Sequence, residues 1–176
     1  MTTHDSFLEV LLSPGRSPEI APEDDVYGWL IGSWELDVVI HFDDGNIHEG
    51  KGEVHFARVL EGRAVQDIWI SPRRGERESR RPNGFNMYGS TIRVYDPATR
   101  AWTVTWFNPI TGAHDELVGR WKGKDIVQEG KSSTGASIRW SFTDITPSSF
   151  RWLGERLNAD GETWFLQAEF QARRLK

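Results

Sequence analysis

Asp67 and Trp69 lie two residues apart on one face of an extended stretch, AVQDIWI, so a carboxylate and a large flat apolar surface point the same way. Trp102, Trp106 and Asn108 share a face of a second stretch, and His114, Glu116 and Arg120 share one of a third. Gln128, Arg139, Trp152 and Glu169 follow further along. These residue types allow two kinds of chemistry. Indoles give flat contacts with a single N–H handle, so Trp69, Trp106 and Trp152, with Asn108, Arg120, Gln128, Arg139 and Glu169 to orient polar groups, form a candidate binding set for a small hydrophobic or aromatic molecule. An acid or base in the same space can instead move protons. Asp67, Glu169 and His55 are the candidates for cofactor-independent isomerisation, cyclisation or hydration of the kind met in secondary metabolism. An inward Asp, Glu or His bonded to Arg or Tyr beside open volume would mark the enzyme. A filled interior would instead mark an interaction module that forms a homodimer through its N-terminal arm.

Other chemistries find less support. The chain has no cysteine, so disulfides, thiolate metal sites and cysteine nucleophiles are excluded together. No G-x-S-x-G elbow is present. Asp44-Gly45 as a two-residue hairpin turn places His41 opposite His48, a start towards a metal or pH-sensing pair but more simply a surface pair. No metal or cofactor is called for. A net charge of -5 leaves no surplus of Lys and Arg for a nucleic-acid partner. No apolar run approaches the ~20 residues of a membrane span. The first residues, MTTHDSFLEVLLSPG, lack a basic start and do not read as a secretory signal, so the expected location is cytoplasmic.

These side chains need strands to hold them. Tyr88 to Gly112 contains a complete hairpin: Asp96-Pro97-Ala98-Thr99 has type I turn chemistry, and Trp102 to Phe107 alternates bulky and small polar residues with a strand's period. Ser33 to Phe42, His48 to Leu60, Ala64 to Ile70, Ala113 to Trp121, Asp125 to Lys131, Ala136 to Ile145, Ser149 to Leu157 and Glu162 to Ala172 read as further strands, separated by Gly-, Asn- and Ser-rich turns. About ten strands in succession, with no helix long enough for a parallel crossover, predict an all-β fold: a single up-and-down antiparallel barrel, closed to remove its edges. A barrel of that size holds more space than its lining fills. Residues 1–21 read as an N-terminal arm, flexible or docked on a neighbour, with a short helix over 5–13; residues 22–176 form the barrel domain. PEDDVYGWLIG, from Pro22, reads as a second short helix. Ser71 to Asn86 is a long polar loop with five arginines against two glutamates, either solvated or a lid offering guanidinium groups to an anion.

A short helix running into Gly32-Ser33-Trp34 resembles the G-x-W signature of lipocalins and other calycins. Together LIGSWELDV, GKGEVHFARVLEGRAVQDIWI and IRVYDPATRAWTVTWFNPITG are similar to a bacterial lipocalin-like domain family of unknown function, related in fold to nitrobindins and fatty-acid-binding proteins. The resemblance covers roughly residues 26 to 174. It implies a ten-strand β-barrel with an N-terminal helix closing one end and Trp34 sealing the base from inside, and it brings no agreed catalytic residues. Nitrobindin-like barrels hold haem through a histidine on a late strand. No histidine follows His114 here, so the resemblance supplies no haem ligand.

Overall fold

The computed structural model describes residues 3–77 and 85–176. After a helix α1 (Thr3–Leu11) come β1 (Gly32–His41), β2 (Ile47–Val59), β3 (Ala64–Ser71), β4 (Met87–Asp96) and β5 (Ala101–Asn108). β6 (Ala113–Lys122), β7 (Asp125–Lys131), β8 (Ser137–Thr143), β9 (Ser149–Leu157) and β10 (Trp164–Arg174) complete the meander. Each strand pairs antiparallel with its neighbours in sequence, and β10 pairs with β1, so the sheet closes into a ten-strand barrel. The Asp96 turn forms as its composition requires: the Asp96 carboxylate accepts from Ala98 N–H at 2.9 Å and the Thr99 hydroxyl at 2.7 Å.

The up-and-down path puts alternate turns at opposite ends, and one end is plugged. Residues 17–31 fold across it, burying Ile20, Val26, Tyr27 and Leu30 against Trp34, Trp102, Phe142 and Phe150. The expected helix from Pro22 is instead two 3-10 turns, Pro22–Asp24 and Gly28–Leu30. The acids that suggested a helix N-terminus bind strand residues. Asp24 receives Tyr95 Oη at 2.7 Å and Arg100 Nη2 at 2.9 Å, and its carbonyl receives Trp102 Nε1 at 2.8 Å. Asp25 pairs with Arg58 at 2.6 Å. These clamps fix the segment too tightly for a continuous helical turn, and a Cβ on Gly28 would overlap Asp25 and Arg58. Trp34 is fully buried. Its Nε1–H donates to the Leu30 carbonyl at 2.8 Å, and the Arg174 guanidinium lies 4.0 Å from its ring centroid.

Two local irregularities change which side chains face inward. The β1–β2 loop has three residues rather than two: Phe42 N–H reaches the Asn46 carbonyl at 2.9 Å, and Gly45 takes the left-handed conformation at φ 84°. Register follows loop length, so His48 pairs with Ile40 and His41 with Ile47. The expected His41–His48 pair therefore does not form, and the two lie on opposite faces. In β10 a bulge between Leu166 and Ala168 makes Gln167 an extra residue. It breaks the even alternation from Trp164 to Phe170. Trp164 turns outward beneath Arg139, while Phe170 stays in the core.

Candidate ligand-binding site

The end of the barrel opposite the plug holds a cavity of about 440 Å³. Trp69, Trp106, Trp140 and Trp152 wall it with Phe170, Phe85 and Ile138, and Thr91, Arg93, Asn108, Asp115, Arg156 and Gln167 add polar groups. The indoles form a continuous surface. Trp106 meets Trp140 edge-on at 6.4 Å between centroids, Trp140 and Trp69 each lie 5.7 Å from Trp152, and Trp152 stacks on Phe170 at 4.9 Å with 13° between planes. Two glycines make room for them. A Cβ on Gly89 would fall 2.3 Å from the Trp106 ring and one on Gly154 would fall 2.7 Å from the Trp152 ring, so the benzo edge of each indole packs against bare backbone.

Beneath this wall lies a buried polar cluster. Asp67 and Arg93 form an ion pair with side chains 0% and 1% exposed. Asp67 also accepts Thr91 N–H at 2.8 Å. Gln128 Oε1 accepts Arg93 Nε–H at 3.3 Å and Tyr27 Oη–H at 3.1 Å. The Arg93 guanidinium lies 4.9 Å from the Tyr27 ring centroid and 5.7 Å from those of Phe56 and Phe142. Burial holds the Tyr27 hydroxyl well above the ordinary phenol range, although Arg93 pulls it down, so it stays a donor.

Of the residues singled out from sequence, Trp69, Trp106, Asn108 and Trp152 line the cavity. Gln128 faces inward but lies below it in the Arg93 cluster. Arg120, Arg139 and Glu169 are on the outer face, contrary to expectation. Arg120 is exposed. Arg139 pairs with Glu155 at 2.8 Å and Glu169 with Arg151 at 3.0 Å. The reason is parity: Leu117 and Gly119 in β6, Ile138 and Phe142 in β8 and Phe170 and Ala172 in β10 turn inward, which sends the alternate residues out, where cross-strand ion pairs hold Arg139 and Glu169. His55 also points outward, bonded to Ser33 Oγ at 2.8 Å and Glu53 at 3.0 Å, so it cannot act inside the barrel. Asp67 is inward and bonded to Arg93 beside open volume, the arrangement set as the mark of an enzyme. Both its oxygens are already occupied, and it does not itself line the cavity.

Asp115, Arg93 and Trp140 are cavity residues absent from the sequence-derived set. The described arginines of the long loop turn away from the cavity: Arg73 reaches Glu35 at 3.3 Å, Arg74 reaches Glu53 at 2.8 Å, and Arg77 reaches the Met87 carbonyl at 3.0 Å. The rest of the lid expectation, from 78 to 84, lies outside the described residues.

Asp115 is half-buried and accepts Ser133 N–H at 3.0 Å. Burial lifts its carboxyl above the usual aspartate value, against the opposing pulls of Ser133 and His114. A carboxyl raised in this way is one whose ionised form the fold disfavours. The cost is full above the folded-state pKa and disappears below the unfolded value of 3.8. Asp115→Asn is therefore expected to raise the melting temperature at neutral pH by roughly 1–3 °C. The gain should vanish below about pH 4 when melts are repeated there.

The class defined by fold and site is a closed ten-strand antiparallel barrel, plugged at one end and hollow at the other. The barrel resembles that of Rv2717c from M. tuberculosis, with a TM-score of 0.60 and 16% identity over 89% of this chain and 99% of that one. It also resembles the S-type phycobiliprotein lyase CPES from Guillardia theta, with a TM-score of 0.50 and 9% identity over 87% and 92% of the two chains. At these identities the likeness is one of fold. No family model and no curated protein matches the chain. Among the described residues no helix is long and apolar enough to cross a membrane.

Proposed function

We propose that this protein binds a small, flat, hydrophobic or aromatic molecule inside the barrel, in the manner of a lipocalin-like carrier. The observation that carries the reading is the cavity of about 440 Å³ walled by Trp69, Trp106, Trp140 and Trp152, with a few polar groups at fixed places. Small-molecule sites have this character: concave, mostly apolar and given direction by sparse polar groups. Water held against such a wall gains little, and a conjugated ring system that displaces it stacks on the indoles. The likeness to a phycobiliprotein lyase is one of fold and is compatible with an interior ligand. The alternative is a cofactor-independent enzyme in the same cavity. Asp115 is the carboxylate it would use, since it lines the space and burial holds its proton more firmly.

Titrating intrinsic tryptophan emission with a panel of two- and three-ring aromatics tests the binding reading. Saturable quenching at micromolar ligand is expected, lost when Ala168, which faces the cavity, is replaced by Trp to fill it. A panel in which nothing quenches saturably below millimolar would remove the binding function.

A further inference from the structure

The indoles of this protein fall into two groups by what their N–H groups meet. At the plugged end Trp29, Trp34 and Trp102 donate to the carbonyls of Val26, Leu30 and Asp24 at 3.0, 2.8 and 2.8 Å. Around the cavity Trp69, Trp106, Trp140 and Trp152 find no acceptor among the described residues. Buried tryptophans ordinarily have a partner, as the first group does. Four neighbouring indoles, Trp69 buried and the other three partly buried, line one cavity without such a bond, so their N–H groups are open to an acceptor that a ligand brings.

The cavity floor has the same bias. Arg93 touches the cavity and commits Nε to Gln128 and one Nη to Asp67, leaving its other guanidinium N–H groups without an acceptor among the described residues. Just below, Gln128 accepts twice through Oε1, while its buried Nε2 has no partner among the described residues. Acceptors in the same space are mostly spent. Below the cavity Asp67 is taken by Arg93 and Thr91; on its wall Asn108 Oδ1 receives Ile110 N–H at 3.2 Å and Asp115 Oδ1 receives Ser133 N–H, which leaves Asp115 Oδ2 as the open carboxylate oxygen. Gln167, Thr91, Ser132, Ser133 and Thr134 add side chains that both donate and accept. Groups that can only donate thus outnumber groups that can only accept. Asp67 cancels the Arg93 charge, so the surplus is one of hydrogen-bond donors rather than of positive charge.

Resting on the binding function proposed above, we infer that the cavity selects flat conjugated molecules carrying oxygen acceptors, carbonyl or carboxylate, seated against the indole N–H groups and Arg93. A plain hydrocarbon would leave those donors desolvated and unpaired, and an amine would add donors to a donor-rich space. Asp67 then has a defined part. It holds Arg93 in place and neutralises it, so that a neutral carbonyl is accepted as well as an anion.

A matched series separates the inference from the reading beneath it: 2-acetylnaphthalene, 2-naphthoate, 2-ethylnaphthalene and 2-naphthylmethylamine, titrated calorimetrically into the full chain. The affinity ratio of the acetyl to the ethyl compound cancels most of the shared stacking contribution. It is expected to fall about tenfold from the wild type to the double variant Arg93→Met with Asp67→Leu. Trp140→Phe, which keeps a ring and removes one N–H, is expected to lower the ratio by a smaller factor and guards against misfolding of the double variant. A ratio unchanged in both variants, or an amine that binds more tightly than the ketone and the acid, would overturn the inference while leaving a binding cavity. Failure of all four compounds to bind would remove both.

Discussion

Replacing Arg93 with alanine is expected to cost about 3–5 kcal/mol of folding stability. The loss has little to do with how strongly the pair attracts. With the guanidinium gone, Asp67 keeps Thr91 N–H but sits in a fully buried position with an uncompensated carboxylate. An ion in that position pays several kcal/mol of desolvation with no counter-charge to offset it. Gln128 loses one of its donors and the rings of Tyr27, Phe56 and Phe142 lose the cation they surround. Removing both charges together has a different outcome. In the double variant Arg93→Met with Asp67→Leu the volume is roughly conserved and no charge is stranded, so most of the stability should return. Urea unfolding of the single and double variants measures this directly. Equal destabilisation in both would show that the pair's worth lies in its packing.

The second large effect belongs to the plug. Trp34→Ala is expected to lose about 3–5 kcal/mol, since it empties a fully buried site whose neighbours cannot collapse into it. Phe150 and Trp29 contact the indole edge-on at 4.8 and 6.1 Å, Arg174 covers its face, and Leu30 takes its N–H. Arg174 also donates to the Ile31 carbonyl at 2.8 Å, so it ties the end of β10 to the segment that leads into β1. Loss of the indole therefore loosens the closed end as well as the core. Thermal unfolding checks the size of the effect, and Trp34→Phe should recover part of it.

The fold was largely legible because strands announce themselves through alternation and turn chemistry. The Asp96 turn, the Ser133-Thr134-Gly135 turn and the run from Ser149 to Leu157 required no tertiary information. The site was less legible, for three local reasons. In Thr91-Ile92-Arg93-Val94-Tyr95 the apolar residues Ile92 and Val94 lie towards the outside and the arginine faces in, the reverse of the usual reading. The available signal was Asp67: an inward carboxylate requires a cation, and β4 is the next strand to supply one. In β6 both faces are mixed, so His114, Glu116 and Arg120 looked as eligible as Asp115 and Leu117. Only their exposure in the closed barrel separates them. The one-residue differences at the β1–β2 loop and at Gln167 are the hardest to foresee. Each inverts an alternation, and neither Gly45 nor the polar-apolar pattern of β10 states how many residues its loop or strand will spend.

Substituting 5-fluorotryptophan throughout and recording fluorine-19 spectra during titration with 2-acetylnaphthalene tests the cavity most directly, because each of the nine tryptophans reports its own surroundings. The resonances of Trp69, Trp106, Trp140 and Trp152 should move together and saturate, while those of Trp29, Trp34 and Trp102 at the plugged end, of Trp121 exposed at the barrel rim and of the outward Trp164 stay in place. Saturable shifts confined to Trp121 and Trp164, or none at any of the nine, would contradict an interior site.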